Sequence, residues 1–202
     1  MEDLFTSEEN EQIQSQIRDK YRKVSLNPGG FFNYPTGRAG LEILGYDPSF
    51  TSDLPDEVSQ FYCGVGNPFS MGKIKEGETV LDLGCGVGID AVFAAKIVGS
   101  KGKVFGVDLV PEMLDRAKKN VQILGIANVS FIEGSAEKLD FPKDSFHSVI
   151  SNGAINLIPD KKRAIAEVFR VLKPNGRFMV ADQVLTDRIE KDLKARISTW
   201  FQ

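Results

Sequence analysis

The sequence predicts an α/β fold, in which a doubly wound, mostly parallel sheet with helices on both faces follows a helical and loop-rich N-terminal extension. One observation is that, from residue 78 onward, short apolar runs rich in β-branched residues alternate with segments of helical periodicity. Such alternation is typical of βαβ units, whose parallel strands are covered by helices. The other is the length of 202 residues, which is enough for one domain with a sizeable core.

Composition and charge exclude several classes of protein. Hydrophobic residues make up 42% and charged residues 26% of the chain, so it is not disordered. The net charge of −3 favours neither a nucleic-acid partner nor an anionic membrane. No apolar run reaches the ~20 residues of a membrane span, and the polar N-terminus does not resemble a secretory signal. Because two cysteines are no disulfide framework, we expect a cytoplasmic protein.

We predict that residues 1–76 form an N-terminal extension. Apolar positions spaced by three and four residues predict a helix over residues 8–26. These positions are Ile13, Ile17, Tyr21 and Val24. A glycine- and proline-rich stretch follows, and its Phe31, Phe32 and Tyr34 form either a mobile lid over a substrate or a plain hydrophobic contact of the extension.

Residues 77–202 carry the predicted sheet and its helices. The strands are expected at residues 79–83, 103–108, 129–132, 148–151 and 177–181. Helices are expected at residues 89–98, 111–124, 160–172 and 186–202, with a shorter one in the extension at residues 38–46. Pro111 is suited to the first position of its helix, and Gly125 is suited to ending it.

One motif carries most of the functional information. A buried strand runs into the glycine loop of residues 84–88, which opens a helix. Gly84, Gly86 and Gly88 let the backbone approach a ligand closely, and open α/β sheets bind ligands at this end of their strands. Asp108 ends the next strand, where a carboxylate can accept hydrogen bonds from two ribose hydroxyls. We therefore predict an adenosine-like ligand.

Two residues distinguish between nucleoside ligands. A dinucleotide fingerprint needs a third glycine at position 89, where this chain has Ile89. Asp82 stands two residues before the first glycine. A carboxylate at this position cannot stabilise a pyrophosphate, but it can bind an ammonium group. S-adenosylmethionine has an ammonium, a sulfonium and no phosphate, so it is favoured over a nicotinamide dinucleotide. The alternative is that Asp82 and the glycines merely form a tight turn.

Residues 80–88 and 106–108 together resemble the class I S-adenosylmethionine-dependent methyltransferases, which have a Rossmann-like fold. The resemblance covers residues 79–185 and implies that the cofactor is S-adenosylmethionine and the product S-adenosylhomocysteine. The cofactor contacts that we expect are Tyr62, Asp82, Gly84, Cys85, Gly86, Gly88, Asp108, Leu109, Met113, Ser135, Ala136, Glu137, Asn152 and Gly153. Leu109 and Met113 either cover the adenine ring or belong to the core.

A narrower resemblance, to arsenite methyltransferases, is carried by residues 61–64 and 151–161. That subgroup holds As(III) with several thiolates, ligands that suit a soft metalloid. Cys63 matches one of those positions, whereas Gly153 stands where a second cysteine is expected. Because one thiol makes no thiolate cage, we expect methyl transfer to a small molecule and no metal site. Cys63 is either a substrate ligand or nucleophile, or a small buried residue near the cofactor.

The activity of the chain and its assembly each allow two interpretations. The same fold also suits a non-catalytic S-adenosylmethionine-binding or interaction module. The family's sheet continues with a hairpin after the fifth strand, and this chain ends before it, so we expect either a fragment of a longer protein or a homodimer through the final helix. His147 stands at the start of the fourth strand, where we expect a solvent-exposed structural residue rather than a general base.

Overall fold

A parallel sheet of five strands forms the centre of the computed structural model, which describes residues 6–184. The strands are β1 (Thr79–Leu83), β2 (Lys103–Asp108), β3 (Val129–Glu133), β4 (Phe146–Asn152) and β5 (Leu172–Ala181). Their order across the sheet is β3-β2-β1-β4-β5, and every neighbouring pair is parallel. The predicted fold class is therefore confirmed.

Seven α-helices lie within residues 6–184. They are α1 (Ser7–Leu26), α2 (Gly37–Ile43), α3 (Pro48–Thr51), α4 (Asp56–Ser59), α5 (Ile89–Val98), α6 (Pro111–Ile123) and α7 (Lys161–Val171). Two short 3-10 helices span Pro68–Met71 and Ile155–Leu157. The helix expected at residues 186–202, and the dimer expected through it, lie outside the described residues. No described helix combines the length and the apolar character that crossing a membrane requires.

Local sequence explains where the longer helices begin and end. Thr6 caps α1 in a capping box with Glu9, each accepting a backbone N–H from the other. Pro111 occupies the first turn of α6, as predicted, and Gly125 follows that helix with a φ of +63°. Helix α5 is apolar nearly all round because it is buried against the sheet.

Strand β5 is longer than predicted. It begins at Leu172, which pairs with Phe146, whereas Arg177 pairs with Ser148. Residues 173–176 of β5 lie between these two pairs, whereas β4 has only His147 there. The register between the two strands is therefore irregular. The sequence predicts only a turn over residues 172–176 because Pro174 and Gly176 are turn residues.

The extension packs on the same core as the helices of the sheet. Val24 and Tyr46 belong to one buried cluster with Phe93 of α5 and Met113 of α6. Phe32 packs against this cluster from outside. The aromatic segment thus has a hydrophobic contact to hold it, while its movement as a lid and the domain boundary after residue 76 stay predictions.

The order of the strands creates a crevice. The chain runs from β1 outward to β2 and β3, then returns to place β4 on the other side of β1. At such a reversal the loops after neighbouring strands diverge, which leaves room for a ligand at the carboxyl ends. The glycine loop follows β1 directly and therefore lies at this crevice.

Candidate active site

A cavity opens at the carboxyl ends of β1, β2 and β4, and it brings together nearly all of the residues predicted from the sequence. The predicted residues in its wall are Tyr62, Cys63, Asp82, Gly84, Cys85, Gly86, Asp108, Leu109, Met113, Ser135, Ala136, Glu137, Asn152 and Gly153. The sheet reversal explains this convergence, since residues far apart in sequence meet where the strands end.

Gly88 is the predicted residue that the cavity wall does not include. It precedes the first residue of α5 with a φ of +78°, and a Cβ there would lie 2.7 Å from the Phe131 ring. This glycine therefore lets helix and sheet pack closely, and a direct ligand contact is not what requires it.

The glycine loop is shaped by its neighbours. The backbone N–H groups of Gly84 and Cys85 both donate to the carbonyl of Val107, at 2.8 and 3.0 Å. Gly84 has a φ of +73°, and a Cβ there would lie 2.3 Å from the Cβ of Ala154. The loop after β1 is thus pressed against the segment after β4, and only glycine fits at position 84.

Asp108 ends β2 and is held by the backbone. Its two carboxylate oxygens accept the N–H of Gly86 at 2.8 Å and that of Val110 at 2.9 Å. Burial raises the pKa of this carboxyl, and the backbone hydrogen bonds oppose that rise. A fixed carboxylate with further lone pairs in the cavity wall can accept hydrogen bonds from a ligand.

Asp82 is the least satisfied polar group of the site. It is only 2% exposed, and its Oδ2 has no hydrogen-bond partner among the described residues. Burial raises the pKa of this carboxyl well above its ordinary value, and the nearby carboxylates of Asp90 and Asp108 raise it further. A buried, unpartnered carboxyl in a cavity wall indicates a site for a donor or cation from a ligand.

Asp90 also lines the cavity, although it was not predicted from the sequence. The hydroxyl of Tyr46 donates to its Oδ1 at 2.7 Å, and the Nδ2 of Asn152 donates to its Oδ2 at 2.9 Å. Burial raises the pKa of Asp90 to about 6, against the effect of these hydrogen bonds. The available signal was an acid placed two residues after the glycine loop, but an acid is also common in the first turn of any helix.

Asn152 joins the strand end to the extension. Its Oδ1 accepts the backbone N–H groups of Val65 and Gly66, at 2.9 and 3.1 Å. Its Nδ2 also lies 2.8 Å from the carbonyl of Gly66 and 3.2 Å from the hydroxyl of Tyr62. These contacts fix the segment that carries Cys63 against β4.

The two cysteines differ in environment. Cys63 lies partly exposed in the cavity wall, and burial, followed by the charge of Asp108, raises the pKa of its thiol to about 12. Cys85 is buried, and a Cβ on Gly106 would lie 2.8 Å from its sulfur. Cys85 therefore packs tightly on β2, while Cys63 is the thiol that a ligand can reach.

Helix α1 supplies a wall that was not predicted from the sequence. Gln14, Ile17 and Tyr21 line the cavity, and Gln14 donates from Nε2 to Glu137 at 3.3 Å. The other oxygen of Glu137 accepts the backbone N–H of Asp160 at 3.0 Å. Glu137 thus links α1 to the start of α7 across the cavity rim.

His147 lies away from this site, as predicted. Its Nδ1 accepts the backbone N–H of Thr79 at 2.9 Å, and its Nε2 lies 2.9 Å from the Lys173 ammonium. The prediction of a solvent-exposed residue is wrong in detail because this hydrogen bond to β1 keeps the ring partly buried. His147 therefore has a structural role at the amino ends of the strands, as predicted.

The ionisable side chains that give the cavity wall its charge are acidic. Four carboxyl groups line it, and no lysine or arginine does so within residues 6–184. The carboxyl groups belong to Asp82, Asp90, Asp108 and Glu137. A phosphate would meet repulsion here, whereas a ligand with positive charge would be stabilised. The fold and this cavity together define an α/β domain with a site suited to a cationic ligand.

Comparison with known proteins gives the family. Residues 74–202 match the methyltransferase domain family. The chain is 33% identical to an arsenite methyltransferase of Halobacterium salinarum, over 96% of this chain and 53% of that protein. It is 38% identical to one of Aquipseudomonas alcaligenes, over 89% of this chain and 54% of that protein. The chain spans about half the length of the curated relatives it matches first.

Solved structures of methyltransferases also resemble this chain. An arsenic(III) S-adenosylmethionine methyltransferase from Chlamydomonas reinhardtii is 43% identical, with a TM-score of 0.60 over 65% of this chain and 46% of that one. A SAM-dependent methyltransferase from Aquifex aeolicus is 26% identical, with a TM-score of 0.56 over 73% and 79% of the two chains. The chain belongs to the methyltransferase domain family, with the class I fold. This membership implies S-adenosylmethionine as the cofactor, as predicted.

Proposed function

We propose that this chain binds S-adenosylmethionine in the cavity and directs its methyl group to a small-molecule acceptor. The observation that carries the proposal is the carboxyl of Asp82, which lines a cavity walled by carboxyl groups and whose buried Oδ2 has no partner within the described residues. The cofactor fits this donor set because it brings an ammonium, a sulfonium and no phosphate. A nicotinamide dinucleotide would place its pyrophosphate in the same carboxylate-lined space.

The site residues divide by chemistry. Asp82 would take the ammonium, and Asp108 would accept the ribose hydroxyls. The backbone at Gly84 and Gly86 allows the close approach that the methionyl part needs. Leu109 and Met113 would cover the adenine ring, with Ser135 and Ala136 along its edge. Glu137 already holds Gln14 and Asp160, so we assign it to closing the rim.

The acceptor would lie between Cys63 and the apolar wall of Leu157, Ile158 and Pro159. The bound cofactor supplies a methyl group on a sulfonium, and its transfer is an in-line displacement. The protein's part is to hold the acceptor in line and to exclude water. Helix α1 contributes to that exclusion through Ile17 and Tyr21.

We infer that the acceptor is nucleophilic without help from a general base. Asp90 lines the cavity, but the hydrogen bonds that its two oxygens accept from Tyr46 and Asn152 stabilise its ionised form and so make it a weaker base. The Cys63 thiol is protonated at neutral pH because its pKa is raised to about 12. A thiolate, a soft metalloid or a stabilised carbanion needs no proton removed at the moment of transfer. The named relatives are arsenite methyltransferases, so trivalent arsenic is the first acceptor to assay.

The first test is calorimetric titration with S-adenosylhomocysteine, with NAD as the control ligand. We expect micromolar binding of the former, no binding of the latter, and at least tenfold weaker binding by Asp82→Asn. Asp115→Asn is the matched control, since Asp115 is exposed and pairs with Lys118 on the helix surface. Absence of binding to the unmodified chain would overturn the proposal.

The alternative function is a non-catalytic S-adenosylmethionine-binding module. Gly153 favours it, because this residue stands where the arsenite subgroup is expected to have a thiol, and a Cβ there would lie only 3.3 Å from the Val65 side chain. Methyl turnover over a panel of arsenite, thiols and carbon acids separates the two. Binding of the cofactor without turnover of any acceptor would support the module.

A further inference from the structure

Two buried carboxyl groups line the same cavity. Asp82 at the end of β1 is 2% exposed, and Asp90 in the first turn of α5 is 7% exposed. Burial raises the pKa of the Asp82 carboxyl and the charge of Asp90 raises it further, so the two groups interact. Both side chains line the cavity. The two acids therefore share one buried environment and one opening.

Neutral donors hold Asp90 in this position. The Tyr46 hydroxyl and the Asn152 amide each donate to a different oxygen of its carboxyl, at 2.7 and 2.9 Å. Tyr46 is itself buried and lies 3.1 Å from the Tyr62 hydroxyl. These contacts fix the direction of the Asp90 carboxyl without neutralising its charge.

The titratable groups that face the two acids are themselves acids. From the segments around them come the hydroxyls of Tyr46 and Tyr62, the thiols of Cys63 and Cys85, and the carboxyl of Asp108. Burial raises the pKa of both tyrosines and both thiols, so these four groups are neutral between pH 5 and pH 7. The Lys20 ammonium opposes the rise in the pKa of the Cys63 thiol. Two buried carboxylates that interact are costly when both are ionised.

We propose that Asp82 and Asp90 form a proton-sharing pair that recognises the ammonium of the cofactor's amino-acid part and releases the shared proton when that ammonium binds. This inference rests on the proposed function, because it needs the cofactor in the cavity. Asp90 is then a specificity-determining residue, placed by Tyr46 and Asn152. The proton passes to solvent, and no other bond is made or broken.

The direction in which the affinity changes with pH follows from the linkage between proton binding and ligand binding. A carboxyl whose pKa is raised in the free chain carries its proton below that value, and an ammonium lowers the pKa by favouring the ionised form. Binding therefore tightens as the pH rises. Since the pKa of Asp90 is raised to about 6, the affinity at pH 7 should exceed that at pH 5 by about tenfold or more.

The test is calorimetry of the full chain with S-adenosylhomocysteine near pH 5, where a carboxyl with a pKa of about 6 carries its proton, in two buffers of different ionisation enthalpy. We expect release of about one proton for each ligand bound. The control ligand is 5′-methylthioadenosine, which keeps the ribose that Asp108 would bind but lacks the ammonium. We expect no proton release with it. This comparison uses the unmodified chain and does not depend on a variant that folds.

Asp90→Asn supplies the second measurement. It keeps an oxygen and the volume of the side chain, and we expect S-adenosylhomocysteine to bind with no proton release and a flatter pH dependence. Binding by the unmodified chain without proton release would overturn this inference and leave the proposed function intact. No binding at any pH between 5 and 8 would overturn the proposed function itself.

Discussion

Asp108 offers a sharp test of how the site recognises a nucleoside. Its carboxylate accepts two backbone N–H groups, from Gly86 and Val110, so its position is fixed before a ligand arrives. Asp108→Ala removes this acceptor altogether, while Asp108→Asn keeps one oxygen and the shape of the side chain. Comparing the two separates the ligand contact from the structural contact.

The expected loss of affinity follows from the hydrogen bonds that Asp108→Ala removes. Hydrogen bonds to a charged group contribute about 1.5–3 kcal/mol each, and two bonds to ribose hydroxyls would together contribute about 3–6 kcal/mol. Asp108→Ala should therefore weaken S-adenosylhomocysteine binding roughly 160- to 25,000-fold. The same change leaves the N–H groups of Gly86 and Val110 without their acceptor, so the free energy of unfolding should fall by about 2 kcal/mol.

Calorimetry gives the affinities, and urea denaturation gives the free energies of unfolding. We expect 5′-methylthioadenosine to lose affinity by the same factor, because it carries the same ribose. Asp115→Ala is the control for removing an exposed aspartate and should change neither quantity by more than about 0.5 kcal/mol. If folded Asp108→Ala and Asp108→Asn chains bind as tightly as the unmodified chain, the assignment of Asp108 to the ribose is wrong.

Three further perturbations test the framework of the site. Asn152→Ala removes the hydrogen bonds that the side chain makes with Val65, Gly66 and Asp90. We expect the free energy of unfolding, measured in urea, to fall by about 3 kcal/mol. A fall below about 1 kcal/mol would contradict the role of Asn152 in joining β4 to the extension. Gly84→Ala combines a left-handed backbone with a Cβ 2.3 Å from Ala154, so it should cost about 2–4 kcal/mol, and adding Ala154→Gly should restore part of it in thermal melts. An additive cost would show that the two segments do not press on each other. Because the pKa of the Cys63 thiol is raised to about 12, alkylation at pH 8 should be at least ~1000-fold slower in the folded chain than in urea, and equal rates measured by mass spectrometry would refute this.

The fold could be predicted because its signals are local. Strands and helices of the sheet follow from periodicity, and the glycine loop with Asp82 and Asp108 stands where short stretches of sequence already place it. The parallel strands then bring these residues together without further information. Strand β5 was predicted too short because the turn residues Pro174 and Gly176 stand between its paired positions Leu172 and Arg177.

The parts that could not be predicted depend on contacts distant in sequence. Tyr46, Tyr62, Asp90 and Asn152 lie on four separate segments, and nothing in any one segment shows that they meet. The wall formed by α1 was missed for the same reason. Its apolar stripe indicates that one face is buried, but the same stripe suits any hydrophobic partner.

Donor recognition and enclosure lie on different stretches of the chain. The carboxyl groups that would hold the donor belong to residues 82–108, inside the segment that matches the family, which begins at residue 74. Gln14, Ile17, Tyr21 and Cys63, which close the cavity, all come before that segment. A chain trimmed to the family boundary would keep the carboxyl groups that we assign to the donor but lose the residues that we assign to enclosing the acceptor. Exchanging the first 66 residues between relatives is accordingly a route to new acceptors with an unchanged donor.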